Sequence, residues 1–330
     1  MRPTSPSELL AEADIGAFLV SDRVNIRYVT GLELSAGFLL ALPRSYHLFV
    51  DGRYREVAER QVPDNVRVHD LSLLPKAFAK VPECAVEAEV VTLAQWARWK
   101  RQFKDTKFVQ MKGLLQGFRR QKDAKEIALF KRAQSLTREL LARVPAYLRK
   151  SVTERSLAWQ FHVWAHELGA DGLAFDPIVA FGTNTSRPHH HPTDRPIRKG
   201  HLVQVDVGVK YRGYCADLSA VFFTAKMTAQ EERVLTAVRD ALNAVRKIVK
   251  PGATNHTLHA AEDTVFQKYG VGHLKAHSLG HGVGLEIHEG ISLSDLVPEK
   301  ALLENEIVAI EPGLYLPGRF GMRLEEDVIV

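Results

Sequence analysis

A chain of 330 residues, 45% hydrophobic and 25% charged, is long enough for two domains and can bury a sizeable core, which excludes intrinsic disorder. Its two cysteines, Cys84 and Cys215, exclude a disulfide framework and a four-cysteine zinc module. The formal charge of +5 is concentrated between residues 97 and 132, where 12 Lys/Arg stand against 3 Asp/Glu, so the rest of the chain carries a net −4. No window approaches the ~18 unbroken apolar residues of a membrane span. The opening MRPTSPSELLAEADIG lacks the apolar stretch of a secretory signal. A soluble, cytoplasmic protein with no membrane partner is expected.

Residues 1–118 read as a small α/β domain. Short apolar runs at 17–20, 36–42, 47–50 and 85–91 are bounded by turn residues and separated by helix-like stretches. The basic stretch at 97–132 is expected to be a solvated connector face between the domains, with Trp96, Trp99 and Phe103 on a half-buried helix face. It carries no RNA-binding motif, so a nucleic-acid partner is not expected. Residues 119–330 form the second domain. Apolar positions Phe130, Ala133, Leu136, Leu140 and Val144 recur with helical period up to Pro145. Ser151 with Glu154 suggests a capping box for a second helix through Leu157, Phe161 and Trp164. Thr228 with Glu231 opens a third, and Thr254 to Tyr269 a fourth. Between and after the helices lie four strands with alternation, at 202–211, 215–223, 306–313 and 322–330. Helices and strands arriving in blocks predict an α+β fold with a mostly antiparallel sheet flanked by helices.

In LVQVDVGVKY the valines at 203, 205, 207 and 209 share one face, leaving Gln204, Asp206 and Gly208 on the other. Asp217 follows a turn-like YRGY. A two-residue hairpin loop pairs positions whose numbers sum to an odd value, so Asp206 and Asp217 fall on one face, opposed or one step diagonal. Such carboxylates repel unless a cation or a shared proton lies between them. Glu311 ends an apolar strand, and Arg323, Glu325 and Asp327 share a face in MRLEEDV. The glycine-flanked SLGHGVGLEIHEG holds His281 and His288. Four carboxylates and an imidazole make an oxygen-rich set suited to Mn²⁺, Fe²⁺ or Co²⁺, tolerant of Zn²⁺, and large enough for two ions.

Four ordered motifs, PHHHPTDR (188–195), VDVGVKYRGYCADLS (205–219), HSLGHGVGLEIHEG (277–290) and IEPGLY with RLEEDV (310–315, 323–328), resemble the superfamily of prolidases, Xaa-Pro aminopeptidases and methionine aminopeptidases, metallopeptidase family M24, with its pita-bread fold. RYVTGL (27–32) and LFVDGRYREVAER (48–60) are similar to the amino-terminal domain of prolidases, which methionine aminopeptidases generally lack. The resemblance implies a curved-sheet catalytic domain that binds two divalent ions, Mn²⁺ or Co²⁺ first, through Asp206, Asp217, His281, Glu311 and Glu325. It implies Glu311 as the proton-transferring carboxylate, and His189 and His288 as outer histidines on the substrate. Arg323, on the face of Glu325, is expected to orient that carboxylate and to stand with His189 and His288 among the catalytic and substrate-binding residues. The activity implied is hydrolysis of the Xaa-Pro bond at the amino terminus of proline-containing dipeptides or short peptides by a homodimer. A Xaa-Pro aminopeptidase acting on longer peptides and a non-catalytic binding protein on the same fold are the alternatives. Arg187 or Arg195, beside the HHHP segment, could meet a terminal carboxylate. His190, His191 and His277 read as support or surface histidines, Cys215, Met227 and Met322 as packing.

Overall fold

The computed structural model describes residues 5–149 and 151–330. Internal contacts divide the chain into two units between Arg119 and Arg120. The first carries α1 (Pro6–Ala13), β1 (Phe18–Val20), α2 (Arg23–Thr30), β2 (Phe38–Leu42), β3 (Ser45–Val50), α3 (Arg55–Gln61), β4 (Val66–Asp70), α4 (Leu74–Phe78), β5 (Glu83–Glu87), α5 (Leu93–Gln102) and β6 (Lys107–Met111), followed by α6 (Leu114–Arg120). The strands form one mixed sheet in the order β4-β3-β2-β1-β5-β6. β1–β2 and β2–β3 are antiparallel, and the other pairs are parallel. Leu19, Leu40, Phe49, Cys84 and Val86 from the sheet bury together with Leu74 and Phe78 of α4 and with Trp99 and Phe103. Burial pushes the Cys84 thiol up to about 12, leaving it inert.

In the second unit α7 (Ala124–Tyr147) starts at a capping box of Asp123 and Glu126. It runs two residues beyond Pro145, where the periodicity had placed its end. In the last turn proline forfeits a single backbone donor, which the helix tolerates. α8 (Glu154–Glu167) is capped by Thr153 with Ser156, not by Ser151 with Glu154. β7 (Gly172–Leu173), β8 (Ile178–Phe181), β9 (Leu202–Val207), β10 (Val209–Tyr211), β11 (Tyr214–Cys215) and β12 (Leu218–Phe223) precede α9 (Ala229–Ile248), whose box is Thr228 with Glu231, and α10 (Asn255–Lys268). β13 (Gly280–Gly282), β14 (Ile307–Ile310), β15 (Gly313–Leu316), β16 (Phe320–Arg323) and β17 (Glu326–Ile329) complete the unit. Every strand pair here is antiparallel, in the sets β12-β9-β8, β11-β10-β7, β13-β14-β17 and β15-β16. Val203, Val205, Val207 and Val209 pack on the buried stripes of α7 and α8, with Cys215 among them. Met227 and Met322 pack with α9, as packing residues.

Each of the four long strands expected from the alternation is two strands separated by a break. The breaks fall at Gly208, at Ala216–Asp217, at Glu311–Pro312 and at Leu324–Glu325. Gly208 illustrates the cause: a Cβ there would lie 1.8 Å from the Ala216 carbonyl oxygen. Its own carbonyl accepts from the Ala174 N–H at 2.8 Å, one step beyond the β7–β10 pairing. The Asp217 N–H donates to Asp327 Oδ2 at 2.7 Å. The hairpin turns at Arg212–Gly213, both with positive φ (47° and 87°), the mirror-image turn that suits two-residue loops. Its register sets Asp206 opposite Ser219, which makes Asp217 the diagonal neighbour of Asp206.

The basic stretch is only partly a solvated connector. Arg119 is buried and donates to Asn25 Oδ1 at 3.0 Å within the first unit. In the second, Arg120 pairs with Glu306 at 2.5 Å and Lys122 with Glu289 at 3.0 Å, all four side chains buried.

Candidate metal centre

Three of the strand breaks and the β13 loop converge. Single oxygens of Asp217 and Glu325 and a ring nitrogen of His281 lie within 4.8 Å of one another. Glu311 Oε1 is 3.9 Å from His281 Nε2, and Asp217 Oδ2 is 3.6 Å from the same atom. β13 brings the imidazole this close because Gly280 lacks a side chain, since a Cβ would lie 2.0 Å from the Ala309 carbonyl oxygen on β14. Asp206, on β9, is tied to Arg323 by a short ion pair with Nη2 and does not share the three-residue cluster.

The protonation of His281 follows from its partners. Nδ1 sits 3.1 Å from the Gly282 carbonyl oxygen, which can only accept, so Nδ1 carries the hydrogen and Nε2 presents a lone pair. Burial, then the neighbouring His288, pushes its pKa down to about 4, so the ring is neutral near pH 7. That lone pair faces two carboxylate oxygens at distances too long for hydrogen bonds. Two donors on one cation with bonds of ~2.0–2.2 Å stand about 3–4 Å apart, which these separations match. A ligand histidine whose other nitrogen donates to a backbone carbonyl is the arrangement metal sites favour.

The carboxylates tell the same story. Asp217 is pushed well above the usual range, first by burial and then by the charges of Glu325, Asp206, Asp327 and Glu311. Glu325 is likewise raised by burial and by Asp206 and Glu311. Glu311 rises to about 7 through burial, with Arg323 pulling the other way. Asp206 Oδ1, Asp217 Oδ1 and Asp327 Oδ1 are buried without a hydrogen-bond partner among the described residues. Unpartnered buried oxygens are rare, and crowded anionic ones fit a divalent cation. Hard oxygen donors with one imidazole fit Mn²⁺, Co²⁺, Fe²⁺ or Zn²⁺ alike.

Arg323 does not orient Glu325 directly, as had been expected. It donates from Nη2 to Asp206, from Nε to Ser219 Oγ at 3.0 Å and from Nη1 to the Tyr315 hydroxyl at 2.8 Å. Ser219 then donates to Glu325 Oε2 at 2.8 Å, so the link between Arg323 and Glu325 runs through a hydroxyl. Gln204 holds the Arg323 backbone in both directions, accepting its N–H at 2.8 Å and donating to its carbonyl at 3.2 Å. Burial opposes the guanidinium charge, and Tyr315, Asp206, Glu311 and Glu325 overcome it, raising its pKa further.

Tyr315, Ser219 and Asp327 are the site residues that pattern reasoning did not assign. His277 Nδ1 donates to the Ser278 carbonyl, leaving Nε2 to accept from the Tyr315 hydroxyl at 2.9 Å. His277 therefore belongs to the site as a neutral ring, its pKa lowered to about 4 by burial and by Arg323. Asp327 had one available signal, its shared alternation face with Arg323 and Glu325. Tyr315 had none beyond its place in IEPGLY. The His288 ring packs edge-on against His281 with centroids 4.0 Å apart, and its pKa is lowered by burial and by His189. Both His288 and His189 are exposed at the rim. His190 turns inward to Glu154 at 2.8 Å and His191 is exposed. Cys215 is buried with its thiol pushed up to about 12 by desolvation. A second cluster, His259, Glu262 and Asp263 on α10, already encloses the Lys275 ammonium, at 2.7, 2.6 and 2.9 Å respectively.

Residues 128–330 match Metallopeptidase family M24, and residues 6–121 match the Creatinase/Prolidase N-terminal domain. The crystal structure of X-Pro aminopeptidase from Thermotoga maritima is 31% identical, with a TM-score of 0.89 over 96% of this chain and 93% of that one. The Xaa-Pro dipeptidase from Bacillus anthracis is 26% identical, with a TM-score of 0.92 over 98% and 93%. The Xaa-Pro dipeptidase of Pyrococcus horikoshii is 26% identical over 98% of this chain and 92% of that protein.

Proposed function

The chain belongs to metallopeptidase family M24, with an α/β amino-terminal unit and a pita-bread catalytic unit, and from that premise we propose that it hydrolyses the Xaa-Pro bond at the amino terminus of dipeptides or short peptides. The observation that carries the reading is the neutral His281, whose bare Nε2 faces Asp217 and Glu311 across gaps that no hydrogen bond spans. Asp206, Asp217, His281, Glu311 and Glu325 would hold two divalent ions, Mn²⁺ or Co²⁺. Such ions supply Lewis-acid polarisation of the scissile carbonyl and activation of water at neutral pH.

The chain's own residues supply the rest. Glu311, a buried carboxylate at the same spot, would accept a proton and return it to the leaving proline nitrogen. His288 and His189, at the exposed rim, would meet the substrate's carbonyl and leaving-group side. A Xaa-Pro bond offers no amide hydrogen, so recognition must rest on ring shape and on charge at the peptide's ends. Arg323, Ser219 and Tyr315 keep the carboxylates in place while protons move. A cytoplasmic homodimer belongs to the same reading.

The test is a peptide panel on metal-supplemented protein, comparing Ala-Pro, Ala-Pro-Gly, Ala-Ala and Met-Gly. Cleavage confined to the two proline peptides is expected. Cleavage of Met-Gly, or of nothing, refutes the proposal.

A further inference from the structure

Asn184 Oδ1 accepts from two guanidinium groups at once, Arg187 Nη2 and, at 3.2 Å, Arg195 Nη1. The amide cannot turn away, because its nitrogen donates to the buried Glu154 Oε1 at 2.8 Å. Arg195 is further fixed by Thr183 Oγ1 at 2.8 Å and lies beside Gly182, where an added Cβ would meet its Nη2 at 3.2 Å. Among the described residues the Arg187 side chain bonds to Asn184 alone, and it is exposed. Among the described residues neither guanidinium has a carboxylate within ion-pair distance. Two cations converging on one neutral oxygen repel each other, and an anion would relieve that repulsion.

The position of the pair links it to the metal centre. Thr185 Oγ1 accepts the Gly321 N–H at 3.0 Å, and the Pro188 carbonyl accepts from Arg323 Nη1 at 3.3 Å. Arg187 thus lies between two anchors on β16, two residues before His189. The other cations close by are committed, Arg323 to Asp206 and Lys275 to Glu262 and Asp263. A dipeptide carries a carboxylate one residue beyond its scissile bond, and the acidic cluster repels it. Longer peptides carry no charge there.

We propose that Arg187, steadied by Asn184 with Arg195 behind it, binds the free carboxylate of a substrate whose second residue is its last. This rests on the Xaa-Pro reading above and deepens it, because it makes Arg187 the residue that favours dipeptides. Arg195, pinned on both sides, supplies field rather than contact.

The experiment compares Ala-Pro with Ala-Pro-amide, which differ only in that charge, on wild type, Arg187→Gln and Arg187→Lys. Wild type should prefer the free acid about tenfold or more, mainly through KM, the size of a lost charged hydrogen bond. R187Q should bring the ratio to about one, and R187K should keep part of it. A ratio unchanged in R187Q, or near one in wild type, overturns the assignment and leaves the peptidase reading standing. Hydrolysis of neither peptide by wild type overturns both.

Discussion

Replacing Asp217 by Asn should stabilise the chelated protein while removing its response to metal. Asp217 is buried among four other carboxylates, and desolvation and their charges both disfavour its ionised form. Glu311, raised from 4.5 to about 7 in the same cluster, gives the scale. A displacement of that size corresponds to about 3 kcal/mol at alkaline pH. Asn keeps the shape and the backbone bond to Asp327, adds an N–H donor toward neighbouring oxygens, and carries no charge. Near about pH 8 in chelator, D217N should therefore be more stable by roughly 2–4 kcal/mol. On a chain of 330 residues that is a rise of about 3–6 °C in Tm. As pH falls the wild-type carboxyl takes up its proton before a free aspartate would, so the advantage should shrink toward about pH 5. Calorimetric scans in chelator at both pH values, repeated with excess Mn²⁺, give four numbers per protein. Wild type should gain strongly from Mn²⁺ and D217N little. A chelated D217N less stable than wild type at about pH 8, or an equal Mn²⁺ gain in both, refutes the crowded-carboxylate argument.

Other expectations come from the same geometry. Arg323→Met removes the only ion-pair partner of Asp206 among the described residues and should cost about 3–5 kcal/mol by denaturant titration of the chelated protein; a loss under 1 kcal/mol would contradict that pairing. The chelated protein should lose stability as pH rises from about 6.5 to 8. Asp217, Glu325 and Glu311 have raised folded pKa values, so the folded state binds more protons than the unfolded one there. His277 and His281, lowered to about 4, act oppositely but only below their ordinary value near 6.5. Denaturant midpoints across that range would show the fall in chelator and its suppression by Mn²⁺, and a rise in chelator would contradict it. His288→Ala should leave metal content unchanged and lower turnover by roughly 10²–10⁴, read from elemental analysis beside steady-state rates on Ala-Pro. Loss of metal in H288A would instead make that ring a ligand.

Much of the fold was legible because hydrophobic alternation is a local signal. The valines at 203–209 identify both the buried face of β9 and β10 and the opposite face that carries Asp206. The parity of a two-residue turn limited the Asp206–Asp217 relation to two options, and the register chose the diagonal one. Alternation does not report where a ladder is interrupted, which is why four continuous strands were expected where there are eight. Those interruptions matter most for function, since Asp217, Glu311 and Glu325 stand in them. Long-range electrostatics was equally invisible. Arg120 finds Glu306 across 186 positions, and Glu154 serves His190, Asn184 and Thr193 rather than the helix cap that its spacing suggested.

Metal uptake tests the central claim most directly. Chelated and desalted protein, titrated with Mn²⁺ or Co²⁺ in a calorimeter and then assayed for retained metal, should bind two ions per chain. It should release protons near neutral pH as the raised carboxyls ionise, seen as an observed heat that changes linearly with buffer ionisation enthalpy. Less than one ion per chain, or uptake without proton release, would mean that His281 and its facing carboxylates do not form a cation site.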